Sequence, residues 1–592
     1  MRMNAKPLLY RLTPSDPAGH YFSVELNIDT PHADGQQLSL PAWIPGSYLI
    51  RDFARHIVDI CASSGKKAVA IEKVSNHSWQ CAPCKGPLQV RYTVYAWDLS
   101  VRGAHFDETH AFFNGTSVFL KPHGLEHLDC LLDLQMPTHR VDWRVYTSLP
   151  EASTSLYTNA AKRHGFGLYH AANYDALIDH PVEMGTPQFA HFKAHGAEHE
   201  LVFTGVVPNL DLERIASDVQ KICEAQIAFF EPDDLAAPFL DSSNRYVFMT
   251  MVTGDGYGGL EHRASTALMT SRADLPVRSQ TAAPDGYTTF LGLVSHEYFH
   301  TWNVKRIKPA AFAPYQLEKE NHTRLLWVAE GFTSYYDDLM LLRAGVIDEE
   351  KYFSLVAKSI DTVSKAPGRL KQSVADSSFD AWTRFYKQDE NAPNALVSYY
   401  SKGALIALGL DLLLRNQSGG QRSLDDVMRL LWSRYGREFY RGQQCGIPEG
   451  AMPELILEAT GIDTSDFLKR HVDQCNDVPL QALLGDAGIT LEPLTASATH
   501  SIDARTRMNQ GRLELASVYN GGAAHKAGLS AGDQLVAING LRIVETADLD
   551  RALKTYTTKD TLTVHVFRRD ELREFQLCPS PATPGWTLKR KQ

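Results

Sequence analysis

The pentapeptide His296-Glu297-Tyr298-Phe299-His300 constrains this chain more than any other segment. It follows Phe290-Leu291-Gly292-Leu293-Val294, and Thr288–Asn303 reads as a largely apolar helix. On a helix, residues four apart share a face, so both imidazoles can reach one metal ion. Glu297 lies about 100° around from His296, where it can touch a water at that ion without ligating it. A solvated helix face carrying two histidines is the bland alternative. Burying His, Glu and His together, however, is costly unless they are paired or metal-bound. A third ligand is available in Trp327-Val328-Ala329-Glu330-Gly331-Phe332, which puts an acidic residue early on a second apolar helix, as His2Glu zinc sites require. Tyr399-Tyr400-Ser401-Lys402-Gly403 supplies phenols at the start of another helix. The reading is a catalytic zinc site.

Around this motif the chain changes character twice. Residues 1–205 read as strands: Tyr21–Ile28 and Leu88–Tyr95 alternate or are rich in β-branched and aromatic residues, with Pro/Gly/Asp turns between them. An antiparallel β-sandwich is expected there. From 206 to 480 helices dominate. Leu210–Phe230 has helical apolar spacing, Arg245–Val252 is a strand, and further helices span Leu325–Ala344, Glu349–Lys365 and Ser401–Arg415. A mixed lobe to about 345 and a helical lobe after it are expected. Strands return over 488–592, where Ala524–Gly540 resembles the PDZ family in its small-residue helix, Gly-Leu turn and Gly-Asp strand. The carboxylate-binding loop of that domain is expected near Asn509–Leu513.

The 592 residues carry 59 Lys+Arg against 69 Asp+Glu, a net charge of −10 that argues against nucleic acid or anionic membrane as partner. The apolar run at the start stops after Leu8-Leu9-Tyr10, too short for a secretory signal, and no stretch is long enough to span a membrane. Eight scattered cysteines suit free thiols in a reducing compartment, so a cytoplasmic location is expected.

The extended stretch Ser295–Pro309, followed by Glu330-Gly331-Phe332, resembles the glycyl aminopeptidase family of gluzincins. Pro45-Gly46-Ser47-Tyr48-Leu49-Ile50-Arg51-Asp52-Phe53 and Phe113-Asn114-Gly115-Thr116 are similar to its N-terminal domain. The resemblance implies an α+β multidomain protein: an N-terminal β-sandwich, a thermolysin-like α/β plus helical catalytic domain, and a C-terminal PDZ domain. It implies one Zn2+ per chain held by His296, His300 and Glu330, with Glu297 as general base. Gly258-Gly259-Leu260-Glu261-His262 resembles the exopeptidase motif of the related aminopeptidase N family, in which the Glu grips the substrate's α-amine; Leu260 and His262 depart from it. Tyr400-Ser401-Lys402-Gly403 resembles the motif whose Tyr steadies the oxyanion, and register favours Tyr400 over Tyr399.

The expected activity is removal of small N-terminal residues, Gly or Ala, from peptides with a free N-terminus. A C-terminal peptide ligand for the PDZ domain is also expected. A PDZ-containing metalloendopeptidase, or a scaffold with a vestigial site, are the rival readings. The sequence carries no signal of oligomeric state. Twenty-nine residues separate His300 from Glu330, and four basic residues of this segment, Lys305, Arg306, Lys308 and Arg324, are read as exposed charge or as cleft wall; Lys319 also lies in it. Asp337 or Asp338 is the candidate to orient a zinc histidine.

Overall fold

The computed structural model describes residues 6–138, 140–442, 444–494 and 500–591. They divide into two compact units. The first comprises residues up to 321 with 336–347 and 431–448; the second comprises 322–335, 348–430 and the chain from 449.

The first unit begins with three sheets. The largest has seven strands, in the spatial order Gly167–Ala171, Cys130–Leu134, Leu8–Asp16, Tyr21–Ile28, Leu88–Tyr95, Ile57–Ser64 and Lys67–Val69. Strand alternation puts Phe22, Val24, Leu26 and Ile28 inside, and Val90, Tyr92 and Val94 beside them. Pairing is antiparallel throughout except between Leu8–Asp16 and Cys130–Leu134, which run parallel. Two four-stranded sheets complete this β-rich region.

Directly after these strands comes a mixed sheet whose edge carries Gly258, Gly259 and Glu261. Its strands are β1 (Gln188–Ala194), β2 (Ala197–Thr204), β3 (Arg245–Thr253), β4 (Gly258–Glu261) and β5 (Ser265–Ser271), in spatial order β1-β2-β3-β5-β4. β2, β3 and β5 are parallel neighbours, and the central β3 reads as a near-continuous apolar run because both its faces are covered. β4 is an antiparallel edge strand, with Glu261 opposite Thr266. Helices α1 (Leu212–Phe230) and α2 (Tyr287–Phe299) belong to this region, and α2 packs on β4 and β5. α2 is apolar on nearly every side, as a fully enclosed helix must be. It stops at Phe299, four residues before the expected end at Asn303. The chain then turns tightly, and Val304 takes φ 132°, a conformation that a β-branched residue adopts only when its surroundings enforce it.

The second unit is helical before the PDZ domain. A π-helical segment, Trp327–Phe332, runs directly into the α-helix Thr333–Arg343, whose last part returns to the first unit. Helices Glu349–Lys365 and Ser401–Ser418 follow, the first matching the expected span at both ends. Gly331 and Gly403 let two helices meet at the backbone: a Cβ on Gly331 would lie 2.7 Å from Gly403 Cα.

The PDZ domain has a sheet ordered Ala504–Asn509, Arg512–Val518, Gln534–Ile538, Leu562–Arg568 and Glu571–Leu577, with helix Thr546–Thr555. Its core gathers Leu513, Leu515, Ile538, Leu553, Val564 and Val566. Asn509–Leu513, the expected carboxylate-binding loop, is built as a hairpin turn. Asn509 pairs with Arg512 across a two-residue turn in which Gln510 and Gly511 both have positive φ, the hallmark of a tight hairpin. Within this unit Asn394 ties the PDZ domain to the helical part, donating to Val518 O at 2.9 Å and accepting from Asn520 N–H at 2.8 Å.

Among the described residues no helix is long and apolar enough to cross a membrane, and all eight cysteines are free. Gly331→Ala should drive a methyl into the facing backbone and destabilise the chain by about 1–3 kcal/mol. A urea midpoint equal to that of the parent would refute this close helix contact.

Candidate active site

The first unit brings together His296, Glu297, His300, Glu261, Gly258 and Gly259. Helix α2 is fixed from both ends of its core face. Tyr298 Oη donates to His199 Nε2 on β2 at 2.9 Å, and Gln226 of α1 donates to the Ser295 carbonyl and hydroxyl, both at 2.9 Å. His199 Nδ1 faces the Ala197 carbonyl, and burial brings its pKa down to about 4, so the ring is neutral and accepts the tyrosine proton.

On this anchored helix the Nε2 atoms of His296 and His300 face each other at 3.0 Å, with ring planes crossed at 87°. Each Nδ1 is already committed. That of His296 meets Asp337 Oδ2 at 2.9 Å, and that of His300 meets the Asn303 carbonyl at 2.6 Å. A carboxylate and a carbonyl can only accept, so both Nδ1 atoms carry the protons and both Nε2 atoms present lone pairs. Two lone pairs at that distance repel unless a cation lies beside them. The pair therefore fits a zinc ion, and Asp337 and Asn303 fix its tautomers. Of the two candidate aspartates, Asp337 makes this contact; burial raises its carboxyl above the ordinary range, with His296 opposing.

Glu297 and Glu261 come in beside His300, one ligand atom from each of the three lying within 4.8 Å of the others. Both approaches depend on missing side chains. A Cβ on Gly259 would lie 2.6 Å from Glu297 Cγ, and one on Gly46, at φ 92°, would lie 2.6 Å from Glu261 Oε1. Gly258 begins the same edge strand, and Arg102 donates to the Gly259 carbonyl at 3.4 Å. Glu261 is 3% exposed, and its Oε1 has no hydrogen-bond partner among the described residues. A buried carboxylate left so is an invitation to a cation.

His262, the departure from the exopeptidase motif, points elsewhere. Its Nδ1 meets Asp179 Oδ1 at 2.9 Å, and Asp179 also takes Lys305 Nζ and Arg263 Nε, each at 2.9 Å. These cations hold the Asp179 carboxyl well below its usual range against the effect of burial. The reading of Lys305, Arg306 and Lys308 as exposed charge or cleft wall is corrected here, since all three are buried. Arg306 forks onto Asp241 and donates to two carbonyls, and Lys308 sits 4.6 Å from the Tyr315 ring and 4.4 Å from that of Phe439. Their partners are distant in sequence, so no local signal marks them as interior. Arg324, in the second unit, is exposed and pairs with Asp376 at 2.7 Å.

Glu330, Tyr399 and Tyr400 belong to the second unit. Glu330 is buried in the π-helical segment. Tyr399 is wholly buried, whereas Tyr400 is partly exposed at the start of its helix, with its hydroxyl 3.3 Å from that of Tyr386. Sequence reasoning passed over Tyr386, Gly46 and Asn303. Gly46 and Asn303 lay within segments already singled out; Tyr386 carries no motif.

Family models match this chain at residues 9–186 (Peptidase M61 N-terminal domain), 289–406 (M61 glycyl aminopeptidase) and 486–578 (PDZ domain). The crystal structure of an aminopeptidase N family protein from Idiomarina loihiensis is 42% identical, with 99% of this chain and 98% of that chain covered and a TM-score of 0.93. The chain belongs to the M61 glycyl aminopeptidase family. It is thus an aminopeptidase of α+β multidomain fold. An M1 zinc metallopeptidase from Deinococcus radiodurans is similar over 80% of this chain and 95% of that chain, at 12% identity and a TM-score of 0.48. No curated protein matches.

Gly259→Ala should push Glu297 aside and lower kcat/KM by about 100-fold, the scale of a 1 Å misplacement, while the melting temperature stays near that of the parent. Unchanged kinetics would mean that the Gly259–Glu297 approach has no part in the chemistry.

Proposed function

We propose that this M61 member removes a single small residue, Gly or Ala, from the free N-terminus of peptides at a site holding one zinc. The observation that carries the reading is the facing pair of imidazole nitrogens with Glu297 and Glu261 beside it.

His296, His300 and Glu330 would hold the metal. The support for Glu330 is its place in the sequence, an acidic residue early on a second apolar helix, as His2Glu zinc sites require. Asp337 meets His296. When bound, zinc supplies Lewis-acid polarisation and eases deprotonation of water. Glu297 takes the proton of the attacking water and returns it to the leaving amine. Tyr400 donates to the developing oxyanion, a role that suits its partial exposure and that the fully buried Tyr399 could not fill. Glu261 receives the substrate ammonium, with Gly258 and Gly259 letting the substrate backbone approach along β4. A carboxylate in that place leaves room for one residue before the scissile bond, which makes the enzyme an exopeptidase. The Gly/Ala preference rests on the family resemblance. In the PDZ domain, Ala504–Asn509 is the edge strand to which an extended C-terminal peptide would add by backbone pairing.

An unblocked alanyl or glycyl peptide should be cleaved at least about 100-fold faster than its N-acetylated twin, and Glu261→Gln should erase most of that gap. Glu297→Gln should lower kcat by about 10²–10⁴-fold, the usual worth of a positioned acid–base group. Equal rates on the blocked and free peptides would sink the exopeptidase reading.

A further inference from the structure

A second cluster of metal-ligating side chains lies in the β-rich part of the first unit. Strands Ala104–Phe106 and Ala111–Phe113 form a hairpin with Phe112 opposite His105, and Val182–Gly185 pairs along its other side with Glu183 opposite Phe112. The loop Asp107–His110 joins them. Asp107 Oδ1 closes this loop, accepting from the Thr109 N–H at 2.7 Å, the Thr109 hydroxyl at 2.6 Å and the His110 N–H at 3.2 Å. Its other oxygen, Oδ2, faces His105 Nε2 at 3.3 Å. One ligand atom from each of His105, Asp107 and His110 lies within 4.8 Å of the others.

Closing a turn explains Asp107 Oδ1 and nothing else in the cluster. His105 and His110 are 4% and 8% exposed, their rings are 4.9 Å apart, and His105 Nδ1 has no hydrogen-bond partner among the described residues. Burying a ring nitrogen without a partner is unfavourable. His110 Nδ1 meets the buried Glu183 Oε1 at 3.1 Å, which puts a proton on Nδ1 and leaves Nε2 as the nitrogen available to a metal. Carboxylate–histidine pairs of this kind orient imidazoles toward a metal. Three of the four residues also border a cavity of about 710 Å³, along with Trp97, Phe203 and Met251.

We propose that His105, Asp107 and His110 form a second metal site, oriented by Glu183, for a divalent transition-metal ion of the zinc class. Two imidazoles and one carboxylate suit such ions; calcium and magnesium call for sets of oxygen ligands. Three protein ligands leave a coordination position open on the cavity side, as in sites that exchange water or a small ligand.

Cobalt(II) titrated into the chelator-stripped full chain tests the site, with bound metal counted by mass spectrometry and followed by the visible d–d bands. The parent should bind two ions per chain. His105→Ala/His110→Ala should bind one and keep its zinc-restored peptidase activity, whereas His296→Ala/His300→Ala should bind one and lose activity. Glu183→Gln, nearly isosteric and safe for folding, should weaken the ion in the hairpin by about 10–100-fold. One ion in the parent, or two in the His105→Ala/His110→Ala chain, would overturn the proposal, as would unchanged cobalt affinity in Glu183→Gln.

Discussion

Two imidazole nitrogens held face to face at 3.0 Å organise this enzyme. Neither ring can turn away. Asp337 and the Asn303 carbonyl hold their outer nitrogens, and the helix that carries both rings is pinned to the sheet through Tyr298 and His199. The tight turn after His300, with Val304 in a strained conformation, delivers the Asn303 carbonyl to its place. Strain of that kind costs about 1–3 kcal/mol and persists only where the surroundings over-determine it. A bound zinc ion would be held by these two lone pairs, and the protein's contribution is to keep both donors in place.

Carboxylates then gather close to those donors, and the backbone makes room for them. Gly259 clears space for Glu297, and Gly46, from the β-rich N-terminal region, clears space for Glu261. The second point gives that region a share in the site, since any side chain at position 46 would press on the carboxylate proposed to bind the substrate amine. Behind Glu261, Asp179 collects His262, Arg263 and Lys305 in one buried cluster. Removing one member of such a cluster typically costs about 3–5 kcal/mol because the others are left uncompensated. Glu261 and His262 are adjacent on the chain yet serve different ends, one facing the chemistry and the other securing the scaffold.

Much of this was legible in the sequence where periodicity is local. Tyr21–Ile28, Leu88–Tyr95 and Glu349–Lys365 have the bounds that alternation or helical spacing suggests. The His-Glu-x-x-His motif announced the helix and the shared face of its two imidazoles. Features set by distant partners were not legible. Lys305 and Arg306 look like solvent-exposed charges until Asp179 and Asp241 are placed against them. The end of α2 at Phe299 depends on a turn that propensity does not reveal. The Gln510–Gly511 hairpin turn is not marked by any Asn-Gly or Asp-Gly pair. His105, Asp107 and His110 pass unnoticed in sequence because their spacing follows no helical or strand period, and only the hairpin brings them together.

Zinc-edge anomalous diffraction from crystals of the metal-loaded chain tests the central claim most directly. The account predicts an anomalous peak about 2.0–2.1 Å from the Nε2 atoms of both His296 and His300, with Glu330 completing the protein ligands. Metal-loaded crystals with no peak between those two nitrogens would contradict it.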